Sequence, residues 1–167
     1  GITQLAIYEV GTLKSKIIDI PAEFQPGGRT DNIRAQGNLL SGKGYVWFVP
    51  SGYQKIIRLN FENGEIVSKT EWTHTLGNAA STSFAYMLDN GKIYMHHRKS
   101  SPNNAYLLTV PTDGGAVSSS ETILSGDPGD QLTSEVFTIQ GTNFVAYNLG
   151  TNDQDARFCI KNLSTRS

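Results

Sequence analysis

The chain has 167 residues, of which 38% are hydrophobic and 17% charged, and its formal net charge is −1 at pH 7. This length predicts one domain, 1–167, and the near-neutral charge argues against a broad nucleic-acid-binding surface. No apolar run reaches the roughly 18 residues of a membrane-spanning helix, so no membrane insertion is expected. The first residue is Gly1 rather than Met, and we expect the domain to be excised from a longer protein.

Small polar residues dominate the composition, with 17 Gly, 15 Ser, 15 Thr and 12 Asn. This mixture favours short strands and tight turns over long helices. The two Trp, seven Tyr and seven Phe argue against disorder. The one cysteine, Cys159, lies in the apolar run 158–160 and cannot form an internal disulfide. The composition therefore predicts an all-β protein.

Eight apolar, strand-like segments form two series that recur along the chain. The first series lies at 5–10, 45–49, 93–96 and 144–147, and each member is followed by one of the second series, at 16–20, 55–59, 105–108 and 157–160. Members of the first series begin 40, 48 and 51 residues apart. A recurrence at this distance predicts a repeated β unit.

Two further strands complete most of these units. Segments 33–40, 83–88 and 135–139 precede the strand pairs, and segments 65–72 and 116–123 follow them. Asn63-Gly64 and Asp113-Gly114-Gly115 are hairpin signals, because such tight turns need positive φ. The predicted unit is a four-stranded antiparallel meander, which is the size of a β-propeller blade.

The predicted fold is therefore a small β-propeller-like domain of about four antiparallel meander blades. The runs at 45–49 and 144–147 are almost continuously apolar, which predicts inner strands covered on both faces. The first unit lacks a leading strand and the last ends after its third, so the two could complete one shared blade. The alternatives are a two-sheet β-sandwich and a segment of a larger propeller.

Enzyme signatures are missing from the sequence. There is no Gly-x-Ser-x-Gly, no His-Glu-x-x-His and no phosphate-binding Gly-x-x-x-x-Gly-Lys-Ser/Thr motif. His96 and His97 are adjacent on a predicted strand, so they should point to opposite faces and not share a metal ion. We therefore expect a protein that binds rather than one that catalyses.

The predicted meander places the longer connections at one end of the sheets and the short glycine-containing turns at the other. Binding residues tend to lie on such loops over a rigid scaffold, and aromatic and arginine side chains dominate interface energetics. The predicted receptor contacts share these loops: Tyr53, His97, Arg98, Lys99 and Tyr147.

Two of the long connections are acidic. Their carboxylates, Asp127, Asp130, Asp153 and Asp155, should lie at the same end of neighbouring strands. Ca²⁺ takes six to eight oxygen ligands from such groups. The sequence therefore predicts one Ca²⁺ ion between these loops, although the spacing is not that of an EF-hand.

In repeat architecture, length and Asn/Ser/Thr-rich composition, the chain resembles the receptor-binding domain of the vertex spike of corticovirus-type, tail-less marine bacteriophages. The resemblance implies a virion-surface or extracellular location, attachment to a host cell-surface receptor without catalysis, and a calcium association. Oligomerisation through the parent protein is a separate expectation. A glycan is one candidate receptor. The alternative functions are a scaffolding segment of a larger bacterial propeller and a surface protein that binds or hydrolyses glycans.

Overall fold

The computed structural model describes residues 2–9, 11–29, 33–39, 41–80, 83–88, 91–98, 103–125, 133–149 and 157–167. Within these residues, the regular structure consists of fourteen strands and a single turn of 3₁₀ helix, Ala22–Phe24. The prediction of an all-β fold is confirmed. No helix in this part of the chain is long and apolar enough to cross a bilayer.

The strands form four sheets that follow one another along the chain. Sheet 1 contains β1 (Gln4–Tyr8) and β2 (Ser15–Asp19), and sheet 2 contains β3 (Ile33–Asn38), β4 (Lys43–Phe48), β5 (Lys55–Glu62) and β6 (Glu65–Thr73). Sheet 3 contains β7 (Phe84–Met87), β8 (Lys92–Arg98) and β9 (Asn103–Thr109); the short β10 (Gly115–Ala116) joins sheet 2, and β11 (Ser119–Ser125) completes sheet 3. Sheet 4 contains β12 (Thr133–Ile139), β13 (Thr142–Leu149) and β14 (Arg157–Asn162).

Three clusters of buried apolar residues hold consecutive sheets face to face. Alternate residues of one strand enter different clusters: Val46 and Phe48 pack towards sheet 1, whereas Trp47 and Val49 pack towards sheet 3. A third cluster joins sheet 3 to sheet 4 through residues such as Tyr94 and Val145. This serial stacking of four sheets differs from the two-sheet sandwich that was the alternative prediction.

Closure of the four sheets into a ring stays a prediction. None of the three clusters in the described residues joins sheet 1 to sheet 4. The outer faces of these two sheets carry exposed apolar side chains, with Tyr8 and Ile17 on sheet 1 and Phe158 and Ile160 on sheet 4. Ring closure would cover these side chains.

The segment predicted as one strand at 116–123 is divided between two sheets, which corrects that prediction. Gly115 and Ala116 pair in parallel with Trp72 and Thr73 of sheet 2, and pairing with β9 begins only at Ser119. Gly114 and Gly115 have φ of 99° and 110°, which carries the chain across to β6 instead of closing a tight hairpin. The glycine pair was therefore correctly read as a turn signal, but the turn is wider than predicted.

Gly114→Ala is expected to lower the free energy of unfolding by about 2 kcal/mol more than Gly115→Ala does. A Cβ at Gly114 would lie 2.7 Å from Glu71 O, so the backbone of β6 would have to move, whereas a Cβ at Gly115 meets nothing within 4 Å. Both variants carry similar strain from positive φ. The difference between their free energies of unfolding in urea therefore measures the contact of the Gly114 Cβ with Glu71 O. Equal losses would show that β10 does not approach β6 this closely.

Within the described residues, the connections lie at two ends of the sheets, as the sequence predicted. The short-turn end contains the turns 63–64 and 140–141, and the long-loop end contains the connection 49–54 and residues 74–80. The predicted long connections at 99–102, 126–132 and 150–156 lie outside the described residues. The connection 110–118, which contains β10, is the exception, because it was predicted to be short. The two ends therefore offer different surfaces, a tight one and one built from longer loops.

Candidate functional site

Backbone hydrogen bonds join the loops at the long-loop end and bring two predicted receptor contacts to one surface. Gly52 N donates to Ala79 O at 2.9 Å, and the residue after Ala79 donates its N–H to Arg98 O at 2.8 Å. The Tyr53 ring packs on Gly28 and is 46% exposed, and Arg98 is also exposed. Receptor binding by Tyr53 and Arg98 stays a prediction.

His97 does not lie on this exposed surface, which corrects its prediction as a receptor contact. Its side chain is buried, with Nε2 3.2 Å from Gly77 O. Its ring centroid is 5.5 Å from that of His74 and 6.1 Å from that of Tyr106. The connection after sheet 2 covers this face of β8, and a polar residue near a strand end is enclosed as a result.

His74 and His96 are also buried, and burial lowers the pKa of each to about 4. Positive charge from nearby groups acts in the same direction at both sites. The His96 ring packs 4.9 Å from Phe84, on the face of β8 opposite to His97, as the sequence predicted. Both ring nitrogens of His96 lack a hydrogen-bond partner among the described residues. These two imidazoles are therefore neutral near pH 7.

The remaining predicted site residues are not gathered into one site. Tyr147 is half-buried on β13 and packs against the cluster between sheets 3 and 4. Outside the described residues lie Lys99 and the four predicted calcium ligands, Asp127, Asp130, Asp153 and Asp155. Within the described residues, no group of three or more His, Cys, Asp or Glu could hold a metal ion. Calcium binding stays a prediction.

A pocket of about 620 Å³ opens towards the short-turn end of sheet 2, away from the predicted binding loops. Strands β3 to β6 line it, and we name it the Arg58 pocket after the cation in its wall. Its polar and aromatic lining includes Asn38, Lys43, Tyr45, Arg58, Asn60 and Ser68. The volume lies within the range of about 300–1,000 Å³ that is usual for small-molecule sites. The pocket is therefore a candidate binding site.

The antiparallel register of sheet 2 builds the pocket wall. Two rows of side chains each cross from β4 through β5 to β6, and they are Tyr45–Asn60–Ser68 and Trp47–Arg58–Thr70. Residues directly opposite in antiparallel strands share a face, with Cβ atoms about 4.5–5.5 Å apart. Groups that are distant in sequence thus become immediate neighbours.

Three aromatic rings surround the Arg58 guanidinium. Its Cζ lies 4.5 Å from the centroid of Tyr45, 5.2 Å from that of Trp72 and 5.6 Å from that of Trp47. The negative faces of such rings attract a cation. Burial lowers the pKa of Arg58, but an arginine remains charged at any ordinary pH. The rings therefore fix a permanent positive charge in the pocket wall.

Asn60 marks a β-bulge at the pocket. Its Nδ2 donates to Ser68 Oγ at 2.7 Å, while its Oδ1 is buried with no hydrogen-bond partner among the described residues. The register shifts after Asn60, so that Phe61 pairs with Ile66 and Val67 stays unpaired. Bulges of this kind often lie beside functional sites, where they redirect a side chain.

Two facing glycines leave space at the pocket. A Cβ on Gly37 would lie 2.8 Å from the Gly44 Cα, and a Cβ on Gly44 would clash with Gln36 O. Both glycines line the pocket, where a side chain would also occupy part of the cavity. Their close approach is thus a structural requirement of the paired strands β3 and β4.

The pocket was not identified from the sequence, although a signal existed. Tyr45 and Trp47 alternate on one strand, and Arg58 and Asn60 alternate on the next, so aromatic and polar groups share a face. The prediction that 45–49 is covered on both faces is wrong at Tyr45, which is 36% exposed, and holds from Val46 onwards. For 144–147 it is wrong as well, because only the second residue of that run is fully buried.

Comparisons of the chain with protein-family models, curated proteins and solved structures find no match. The functional argument therefore depends on the chemistry of the pocket. Its amide, hydroxyl, ammonium and guanidinium groups donate hydrogen bonds, its oxygens accept them, and Tyr45 supplies an apolar ring. Such a set can hold a polar ligand that also has a flat apolar face.

Proposed function

We propose that the chain is a non-catalytic receptor-binding module and that the Arg58 pocket holds a carbohydrate of a cell-surface receptor. A sugar combines many hydroxyl groups with a face of C–H bonds. It therefore matches a pocket in which an exposed aromatic ring stands beside hydrogen-bonding side chains. The setting that we propose is a viral spike attaching to its host, which the resemblance to corticovirus-type spikes suggests.

The observation that carries this proposal is the row Tyr45–Asn60–Ser68. Tyr45 is 36% exposed, and Asn60 Oδ1 is a buried acceptor with no partner in the described residues. Asn60 Nδ2 donates to Ser68 Oγ at 2.7 Å, so the amide and the hydroxyl lie side by side next to the ring. On β3 and β4, Asn38 and Lys43 supply further hydrogen-bonding groups that line the pocket. The scaffold beneath them is rigid sheet rather than loop.

The test is binding of the labelled chain to a glycan array and to host cells, with Tyr45→Ala as the informative variant. Loss of the ring is expected to weaken binding about tenfold or more, as at other aromatic contacts. Tyr8→Ala is the matched control, because Tyr8 is an exposed tyrosine on the outer face of sheet 1. It should bind as the unaltered chain does.

A second variant tests whether the receptor binds at the Arg58 pocket or at the long-loop end. If the double variant Tyr53→Ala, Arg98→Ala loses attachment while Tyr45→Ala keeps it, the receptor site lies at the long-loop end and the pocket proposal is wrong. Release of free sugar from a bound glycan would contradict the non-catalytic assignment. Failure to bind any glycan would remove the carbohydrate from the proposal.

A further inference from the structure

We propose that the sugar held by the Arg58 pocket carries a carboxylate, as uronic and sialic acids do, and that Arg58 is the residue that recognises it. This inference rests on the proposed function, since it names the class of ligand that the pocket takes. The argument depends on the charge, the geometry and the neighbours of one guanidinium.

Arg58 is a half-buried cation without a carboxylate at ion-pair distance among the described residues. Elsewhere in the described chain, cations pair closely with glutamates, as Lys55 does with Glu71 at 2.9 Å and Arg166 with Glu121 at 2.7 Å. A charge removed from water is costly unless an opposite charge or strong hydrogen bonds compensate. Arg58 therefore favours the binding of an anionic ligand from outside the chain.

The hydrogen bonds that Arg58 makes are weak. Nη1 donates to Met87 Sδ at 3.3 Å and Nη2 to Thr70 Oγ1 at 3.4 Å, and both acceptors are uncharged. A guanidinium has five N–H donors in a planar fork that matches the two oxygens of a carboxylate. The aromatic rings already hold this fork in place, so little conformational entropy is lost when an anion binds.

The other charged groups near the pocket leave it positive. Lys43 and Arg58 line it together with one acidic residue, Glu62. Asp113 attracts Arg58 from a distance and forms no ion pair with it within the described residues. The resulting single positive charge favours a monoanionic ligand over a neutral one.

The rest of the lining distinguishes an acidic sugar from a simple inorganic anion. Tyr45 offers a ring face, and Asn60 and Ser68 offer an amide and a hydroxyl one strand away from Arg58. An inorganic phosphate could use the guanidinium but not the ring. A carboxylate attached to a sugar ring uses both.

Calorimetry on the unaltered chain tests the inference with matched pairs of probes. These are oligogalacturonate against its methyl ester, sialyllactose against its methyl ester, and inorganic phosphate alone. At least one acidic probe is expected to bind about tenfold or more tightly than its neutral counterpart, which is the usual strength of a charge-assisted hydrogen bond. In both pairs the sugar rings contacted by Tyr45 are retained while the charge is removed.

Arg58→Gln should reduce the affinity for the acidic probe to that for the neutral probe. Lys14→Gln is the control, because it makes the same change of charge on an exposed turn, and it should leave the preference for the acidic probe intact. If Arg58→Gln does not fold, Arg58→Lys keeps the charge without the fork and should retain only part of the preference. Equal binding of acidic and neutral sugars would overturn the inference and leave sugar binding standing. Phosphate binding as tightly as the acidic sugar would overturn it too, and no binding by any sugar would overturn the proposed function itself.

Discussion

Lowering the pH from 7 to 4.5 is expected to destabilise the fold by several kcal/mol. His74 and His96 are buried and neutral in the folded chain, where burial lowers the pKa of each to about 4. In the unfolded chain their pKa returns to about 6.5. Between these two values the unfolded state binds protons that the folded state does not, so the free energy of unfolding falls as the pH falls.

The size of this effect follows from the pKa difference. Each histidine contributes a slope of about 1.4 kcal/mol per pH unit inside the window, or roughly 2–3 kcal/mol in total. Glu71 extends the loss to lower pH. Burial would raise its pKa, but hydrogen bonds from Lys55 and Lys69 outweigh that and lower it, so its protonation also destabilises the fold. Above pH 7 neither histidine titrates, and the stability contributed by both should be constant.

Urea unfolding at pH 7.5, 6.5, 5.5 and 4.5 measures how the free energy of unfolding depends on pH. The variant His96→Phe shows how much of this dependence comes from His96. Phenylalanine keeps a ring against Phe84 and removes two buried nitrogens that lack partners in the described residues. The variant should therefore be as stable as the unaltered chain at pH 7, or more so, and should lose about half of the pH dependence. A stability that does not change between pH 7 and 5 would show that these imidazoles are accessible to protons in the folded state.

Trp72→Ala is expected to lower the free energy of unfolding by about 3–5 kcal/mol. Trp72 is fully buried, stacks on Trp47 with centroids 5.6 Å apart, and donates from Nε1 to Pro111 O at 2.6 Å. Truncation removes this packing together with the hydrogen bond from Nε1 to Pro111 O. Since domains of this size are stable by only about 5–15 kcal/mol, such a loss is a large part of the total.

Phe158→Ala is the matched control for Trp72→Ala, because it truncates an aromatic residue that is 74% exposed. Its cost should stay within about 0.5 kcal/mol. Trp72→Phe should fall between the two, since it keeps a ring in the stack but not the hydrogen bond. A Trp72→Ala loss no larger than that of Phe158→Ala would mean that sheets 2 and 3 do not pack as described.

Much of the architecture was predictable because it depends on local patterns. The alternation in 46–49 places successive side chains in different clusters, and Asn63-Gly64 closes the turn between β5 and β6 with positive φ at both residues. These features need no knowledge of distant residues. The division of 116–123 was missed because the competing partner, β6, lies more than forty residues earlier in the chain.

The pocket and the burial of His97 depend on tertiary register, which a single sequence does not reveal. Tyr45 faces Asn60 only in the observed pairing of β4 with β5, and the bulge that leaves Val67 unpaired lies near the start of β6. His97 lies near a strand end, where solvent exposure is the usual expectation, but a connection from another sheet covers it. In both cases the deciding neighbour comes from a different part of the fold.

The connection between β9 and β11 of sheet 3 contributes β10 to sheet 2, so the two sheets are expected to unfold together. The connection between β9 and β11 donates from Val117 N to Thr73 O at 2.9 Å and accepts from Trp72 Nε1 through Pro111 O. Sheet 3 therefore cannot separate from sheet 2 without breaking the edge of β6. Sheets 1 and 4 each share a hydrophobic cluster with one neighbour in the described chain. The two central sheets thus form one cooperative unit, and the outer sheets can fray by local unfolding while the Arg58 pocket stays assembled.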